Sequence, residues 1–284
     1  MIKNCLILFF VILSSGLVNA QINLLNSKTV DQIGVKSSEQ LAADNDAPIP
    51  YGYVDDRDIL WSKVVWEFID LNQKINLPYY FPIDTTNLSV DRRSLFHTIL
   101  KGIKQGKIKE AYSDSFFTSK ITKEEIAQRL VNVRTENGFT DTFRIQTEDV
   151  AGYMIKGMWY FDKRQGELKY RLIALSPMGK DVQTLGVENI EDEELYELFW
   201  VFFPSIRDVL HDAKVFNPKN AVQPISFDHL LNARRFSSTI IKQENVYGNR
   251  AVADYVRGNS LFQLLEADKI KEDIRNNEMD MWNY

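Results

Sequence analysis

Three histidines, a single cysteine and two acidic clusters are the residues in this chain whose types could do chemistry. His97, His211 and His229 form no His-x-x-x-His or His-Glu-x-x-His pair, so no local metal site is expected. No Gly-x-Ser-x-Gly elbow, Gly-x-Gly-x-x-Gly turn or phosphate loop occurs. Asp55-Asp56-Arg57-Asp58 has the density for metal or acid–base work. Aspartates just ahead of a helix also cap it and complement its positive end, and that reading is favoured, with Arg57 offsetting the charge. Glu191-Asp-Glu-Glu194 lacks the alternating oxygens and the glycine of a calcium loop and reads as a solvated acidic face. Trp159, Tyr160, Trp200 and Phe202 could stack a sugar, which keeps an exported glycan-binding module or glycan-acting enzyme as the alternative function. Alternating strand aromatics more often fill a core. No catalytic, cofactor-binding or metal-binding residue is assigned, and no cofactor is expected.

The aromatic residues belong to a segment that reads as a β-hairpin, Gly152 to Pro177. In its first strand Tyr153, Ile155, Trp159 and Phe161 point one way, and Met154, Lys156, Met158 and Tyr160 the other. In its second strand Leu168, Tyr170, Leu172 and Ala174 alternate with Glu167, Lys169, Arg171 and Ile173. Gly166 suits a left-handed position in the connecting loop. The Trp159 face is expected to be core. The mixed face, with methionine, tyrosine and arginine, has the composition of a docking surface. The candidate partner-binding set is therefore Trp66, Met154, Lys156, Met158, Tyr160, Lys163, Arg164, Lys169 and Arg171.

The elements around the hairpin read as follows. Asp58–Leu71 carries Leu60, Val64, Phe68 and Leu71 at helical spacing, with Ile59 and Trp66 opposite, and is expected to be a helix packed on two sides. Asp91 is expected to cap a second helix ending near Gly106. Thr122-Lys-Glu-Glu125 is a capping box for a third, carrying Ile126, Leu130 and Val131. Residues 134–149 read as a polar loop, and Leu195–Phe203 as a strand stopped by Pro204. Helices are expected from Ser205 onward, the last capped at Ser260-Leu-Phe-Gln263 and running to about Asn276. The fold class is α+β: a helical N-terminal half, a β-hairpin plus further strand in the middle, and a helical C-terminal part.

Residues 1–20 read as a secretory signal peptide: Lys3, an apolar run Cys5–Val18, and Val18-Asn19-Ala20 ahead of Gln21. Cys5 precedes the apolar run, so no lipid anchor is read, and the mature chain has no disulfide or thiol chemistry. Loss of the one charged residue, Lys3, moves the formal charge from −5 to −6. That balance argues against nucleic-acid binding, and no later run is long enough for a membrane helix. Residues 21–50 read as an arm or linker ordered by contact, followed by a domain over 51–284 with possible sub-regions 51–133 and 150–284.

Five long segments carry a resemblance: "PYGYVDDRDILWSKVVWEFIDLN" (50–72), "DRRSLFHTILKGIK" (91–104), "KGMWYFDKRQGELKYRLIAL" (156–175), "ELFWVFFPSIRDVLHDAKVFN" (197–217) and "FDHLLNARRFSSTIIKQENVYG" (227–248), with the tail 261–282. Together they resemble the gliding-motility and type IX secretion protein N family (GldN, also PorN) of Bacteroidetes. The resemblance implies a non-catalytic periplasmic subunit. It implies a ring with an outer-membrane lipoprotein of the GldK/PorK kind, contact with the periplasmic part of a GldM/PorM-like motor, and self-association within that ring. It implies peripheral attachment to the outer membrane through the lipoprotein, with no direct insertion.

Overall fold

The computed structural model describes residues 47–83, 92–136, 139–185, 194–215 and 225–281. The expected signal peptide, most of the expected arm, Asp91 and Glu191–Glu193 lie outside the described residues. In chain order the elements are β1 Ile59–Asp70, α1 Leu77–Tyr80, α2 Leu95–Lys104, β2 Ala111–Tyr112, β3 Lys120–Ile121, α3 Lys123–Leu130, β4 Val131–Glu136, β5 Phe139–Arg144, β6 Val150–Asp162, β7 Glu167–Gly179, β8 Tyr196–Glu197, β9 Val201–Phe202, α4 Phe203–Asp212, β10 Lys214–Val215, β11 Ile225–Ser226, α5 Phe227–Asn232, β12 Thr239–Gln243, α6 Val252–Tyr255 and α7 Ser260–Met281. The class is α+β. Strands and helices alternate along the chain, in place of the expected helical halves on either side of a central β region.

The main sheet is antiparallel, ordered β12-β1-β6-β7-β8, with β9 also paired to β7. The largest correction is β1, expected as a helix. Its spacing fits both periods because both of its faces are covered. Val65 and Ile69 enter two clusters on one side, while Val64, Trp66 and Phe68 enter a third on the other. Strict alternation is what a strand imposes. The β-branched and aromatic residues of Ile59–Ile69 fit a pleated surface better than a helix. The Asp55–Asp58 cluster accordingly leads a short 3-10 turn into a strand, with Asp55 accepting from the Arg57 backbone N–H at 3.2 Å.

The hairpin β6–β7 forms as expected, and Gly166 takes a left-handed φ of 63° in its loop. One expectation fails. The register slips at Lys156/Gly157, opposite Ala174 and Leu172, so Ile173 is an extra residue. A bulge reverses the facing of everything after it. Leu172 and Leu175 therefore reach one cluster, while Ala174 and Met178 reach the other. Gly157 is required here, because a Cβ would lie 2.1 Å from the Tyr170 hydroxyl.

The helices follow their caps. Ser94 Oγ accepts from the His97 N–H at 3.2 Å and starts α2, the role expected of Asp91. The Thr122/Glu125 capping box forms as read, at 3.2 and 2.6 Å, but Val131 already opens β4. β4 and β5 pair as a hairpin where a loop was expected. Beyond Val131-Asn-Val133 their residues are mostly polar and carry too little apolar alternation to announce a strand. Pro204 lies in the first turn of α4, where its missing N–H costs nothing, and Phe202 ends β9 before it. β12, within the expected helical C-terminal part, is the edge strand of the main sheet. The cap of α7 is Asn259, whose Oδ1 accepts from Leu261 N–H at 3.0 Å and Phe262 N–H at 3.3 Å, and the helix runs to Met281.

Candidate interaction site

Three arginine-centred clusters occupy the sheet and its rim. The first surrounds the β6–β7 turn. Asp162 ends β6 and accepts from the Arg164 backbone N–H at 3.0 Å. Arg164 also reaches the Asp58 carboxylate at 3.1 Å, Lys163 reaches it at 3.8 Å, and Lys169 reaches Asp162 at 3.8 Å. The Arg164 side chain holds the Asp162 carboxyl below its ordinary value. The turn therefore bonds inward to the 3-10 segment ahead of β1.

The second cluster grips the chain's own N-terminal segment. Arg207, on α4, pairs with Asp228, on α5, at 2.7 and 3.0 Å, both nearly buried. Asp228 also takes two hydrogen bonds from the Asn232 amide. The Tyr51 ring sits 4.2 Å from the Arg207 guanidinium and 4.5 Å from that of Arg171. Burial raises the Tyr51 pKa, opposed by Arg207.

The third lies under α7. Arg234 pairs with Glu67 at 2.7 and 3.1 Å, and Ser238 Oγ donates to the same carboxylate. Glu67 is 1% exposed. The guanidinium also stands over Tyr170, Trp159 and Phe236 at 4.0, 5.0 and 5.0 Å. Arg234 itself has a left-handed φ of 49°, a backbone cost retained where the surrounding contacts demand it. The buried Tyr170 hydroxyl has no well-aligned hydrogen bond, although Glu67 and Arg234 are near enough to influence it, and burial raises its pKa.

The expected docking face is only partly open. Met154 and Tyr160 are buried, and Trp66 is 4% exposed with its indole N–H donated to Ser115 Oγ at 3.0 Å. Met158 is half-buried. Lys156 donates to the Ser115 carbonyl at 2.9 Å and stands 4.9 Å from the Trp66 ring and 4.4 Å from Phe116. Burial lowers the Lys156 pKa. The loop carrying Ser115 and Phe116 thus lies against this side of the sheet, tied by Asp114, which accepts from the backbone N–H groups of Phe116, Thr118 and Ser119. The structure joins Lys163, Arg164 and Lys169 in one cluster, places Arg171 beside Tyr51, and puts Trp66 with Lys156 in a third place.

The sugar-stacking set does not assemble on the surface. Trp200 is fully buried, Tyr160 is 5% exposed, Trp159 packs on Tyr170 at 5.0 Å, and Phe202 is the exposed member. The buried carboxylates Glu67, Asp162 and Asp228 are each bonded to an arginine. No group of three His, Cys, Asp or Glu among the described residues could hold a metal. His229 lines the cleft beside Tyr51, and burial lowers the His97 pKa.

A family model for gliding motility associated protein GldN matches residues 54–283. The chain belongs to the GldN family. Membership makes it a component of the gliding-motility and type IX secretion machinery, a family of structural parts not known as enzymes. No curated protein matches the chain. None of the described helices is long and apolar enough to cross a membrane, and the family is a periplasmic one.

Tyr51, Arg207, Asp228, Glu67 and Arg234 do not announce themselves in the sequence. Each acts through a residue more than twenty positions away, and none stands in a local motif. The signal that was present is the Pro-Ile-Pro-Tyr-Gly run at 48–52, whose prolines keep an aromatic residue on an extended backbone.

Proposed function

We propose that the chain is a non-catalytic periplasmic subunit that assembles with an outer-membrane lipoprotein of the GldK/PorK kind and contacts the periplasmic part of a GldM/PorM-like motor. The observation that carries this reading is the family match over residues 54–283. The charged surface around the β6–β7 turn and the exposed apolar residues of α7, among them Leu261, Phe262 and Leu265, offer different surfaces to different neighbours. Unlike faces on one subunit suit a closed ring, which needs heterologous contacts. The test is co-purification of residues 21–284 with and without the lipoprotein, sized by light scattering. A small species alone and a large, defined assembly with the partner are expected. Absence of any complex at native salt overturns the pairing.

A further inference from the structure

The segment Ile49–Tyr53 is bound like a peptide ligand. Arg207 donates to the Ile49 carbonyl at 2.7 Å, Arg171 to Gly52 at 3.1 Å and Arg164 to Tyr53 at 2.8 Å. The Tyr51 hydroxyl donates to Asn232 Oδ1 at 3.0 Å. Among the described residues no backbone–backbone hydrogen bond involves 47–54, so side chains of the body hold the segment. Tyr51 is its half-buried anchor, while Ile49 and Tyr53 are 75% and 78% exposed.

The receiving groove owes part of its shape to bonds within the body. Arg207 is fixed by Asp228, and Asn232 by two further bonds to Asp228. About 420 Å³ of open space remains beside the segment, lined by Gly52, Lys169 and Ala233 among others. An extended, proline-stiffened backbone with one aromatic anchor loses little entropy on docking.

We propose that this groove is a peptide-recognition site whose occupant is exchangeable: the Ile49–Tyr53 segment of a second copy of this chain docks there in place of the segment in cis. Every copy carries the complementary sequence, so the same side chains are offered in trans. Exchange gives up the effective concentration that covalent linkage supplies, which packed copies restore, and requires the link 54–58 to cross between copies. The inference goes beyond the function proposed above and is tested on this chain alone.

The mature chain has no cysteine, so introduced thiols report cleanly. A Cβ at Gly52 meets nothing within 4 Å, and Ala233 lines the same space. One tagged copy of residues 21–284 carries Gly52→Cys and a second carries Ala233→Cys; a short bis-maleimide links thiols that meet. A chain with both substitutions is the cis control. The expected result is a hybrid covalent dimer whose yield rises with concentration. That yield falls at least tenfold when Tyr51→Ala is added to the Gly52→Cys copy, and less when Tyr51→Phe is added, since the ring is kept. An internal bridge in the control with no hybrid at any concentration overturns the proposal. A hybrid indifferent to Tyr51→Ala overturns it too. Urea unfolding of each variant confirms that the body is folded, and competition by a free peptide of residues 47–54 provides a readout without changing the protein.

Discussion

Arg234 and Arg164 make the same kind of bond in opposite surroundings. Arg234 meets a carboxylate that is 1% exposed, between aromatic rings and beneath α7. Arg164, with its side chain 43% exposed, divides itself among Asp58, Asp162 and the Tyr53 carbonyl. Asp162 is itself 1% exposed, so in this network it is the arginine that reaches water, and Asp162 keeps Lys169 and the Arg164 backbone N–H as further partners. In the first place, loss of one partner strands a charge in a medium that cannot solvate it. In the second, water and salt replace the lost partner. The buried pair fixes how β1, β12 and the 234–238 segment meet. The exposed network decides what the turn holds.

The comparison is sharpest in Arg234→Met, which leaves Glu67 buried without its cation. A loss of about 3 kcal/mol in urea unfolding is expected, with most of it recovered when Glu67→Leu is added. An additive double variant would break the distinction. Gly157→Ala tests the packing beside the pair, because its Cβ would overlap the Tyr170 hydroxyl. A cost of about 1–3 kcal/mol is expected, read from the same unfolding curve.

At the turn, the joint charge reversal Lys163→Glu with Arg164→Glu is expected to leave the chain folded, since Asp162 keeps Lys169, while weakening one partner contact in co-purification. Normal binding of all partners by the double variant would remove the turn from the interaction surface. The turn also responds to acid. Arg164 lowers the folded pKa of Asp162, so this carboxylate contributes stability above its ordinary value near 3.8 and loses it as pH falls through the lowered folded value. The contribution is expected to hold from neutral pH to about pH 5 and to fade only below about pH 4, followed by NMR of the Asp162 carboxyl. The smallest effect expected is that of Tyr170→Phe. The hydroxyl it removes has no well-aligned partner, so a change within about 1 kcal/mol follows, and a larger loss would show that Glu67 or Arg234 bonds it in solution.

The elements legible in the sequence were those with local causes. The Thr122/Glu125 box, the β6–β7 hairpin and Gly166 need only neighbouring residues to form. The misread elements lacked a local cause or had two. Ile59–Asp70 fits both helix and strand periods because it is covered on both faces, and only its pairing with β6 and β12 settles which period counts. Thr239–Gln243 is too short to declare itself without β1 beside it. The candidate residues could be named by type alone, and their partners within the fold were invisible. Arg171 and Arg164 hold carbonyls more than a hundred residues away.

By itself, then, the sequence determined the α+β class, the hairpin, the capped helix after Thr122 and the family. Composition, caps and turn residues act over a few positions, and long segments of shared sequence carry descent. Only the tertiary structure decided that β1 is a strand, that Met154 and Tyr160 are covered, and that three arginines hold the Ile49–Tyr53 segment. Burial and ion pairing are relations between distant residues, and they exist only once the chain has closed on itself.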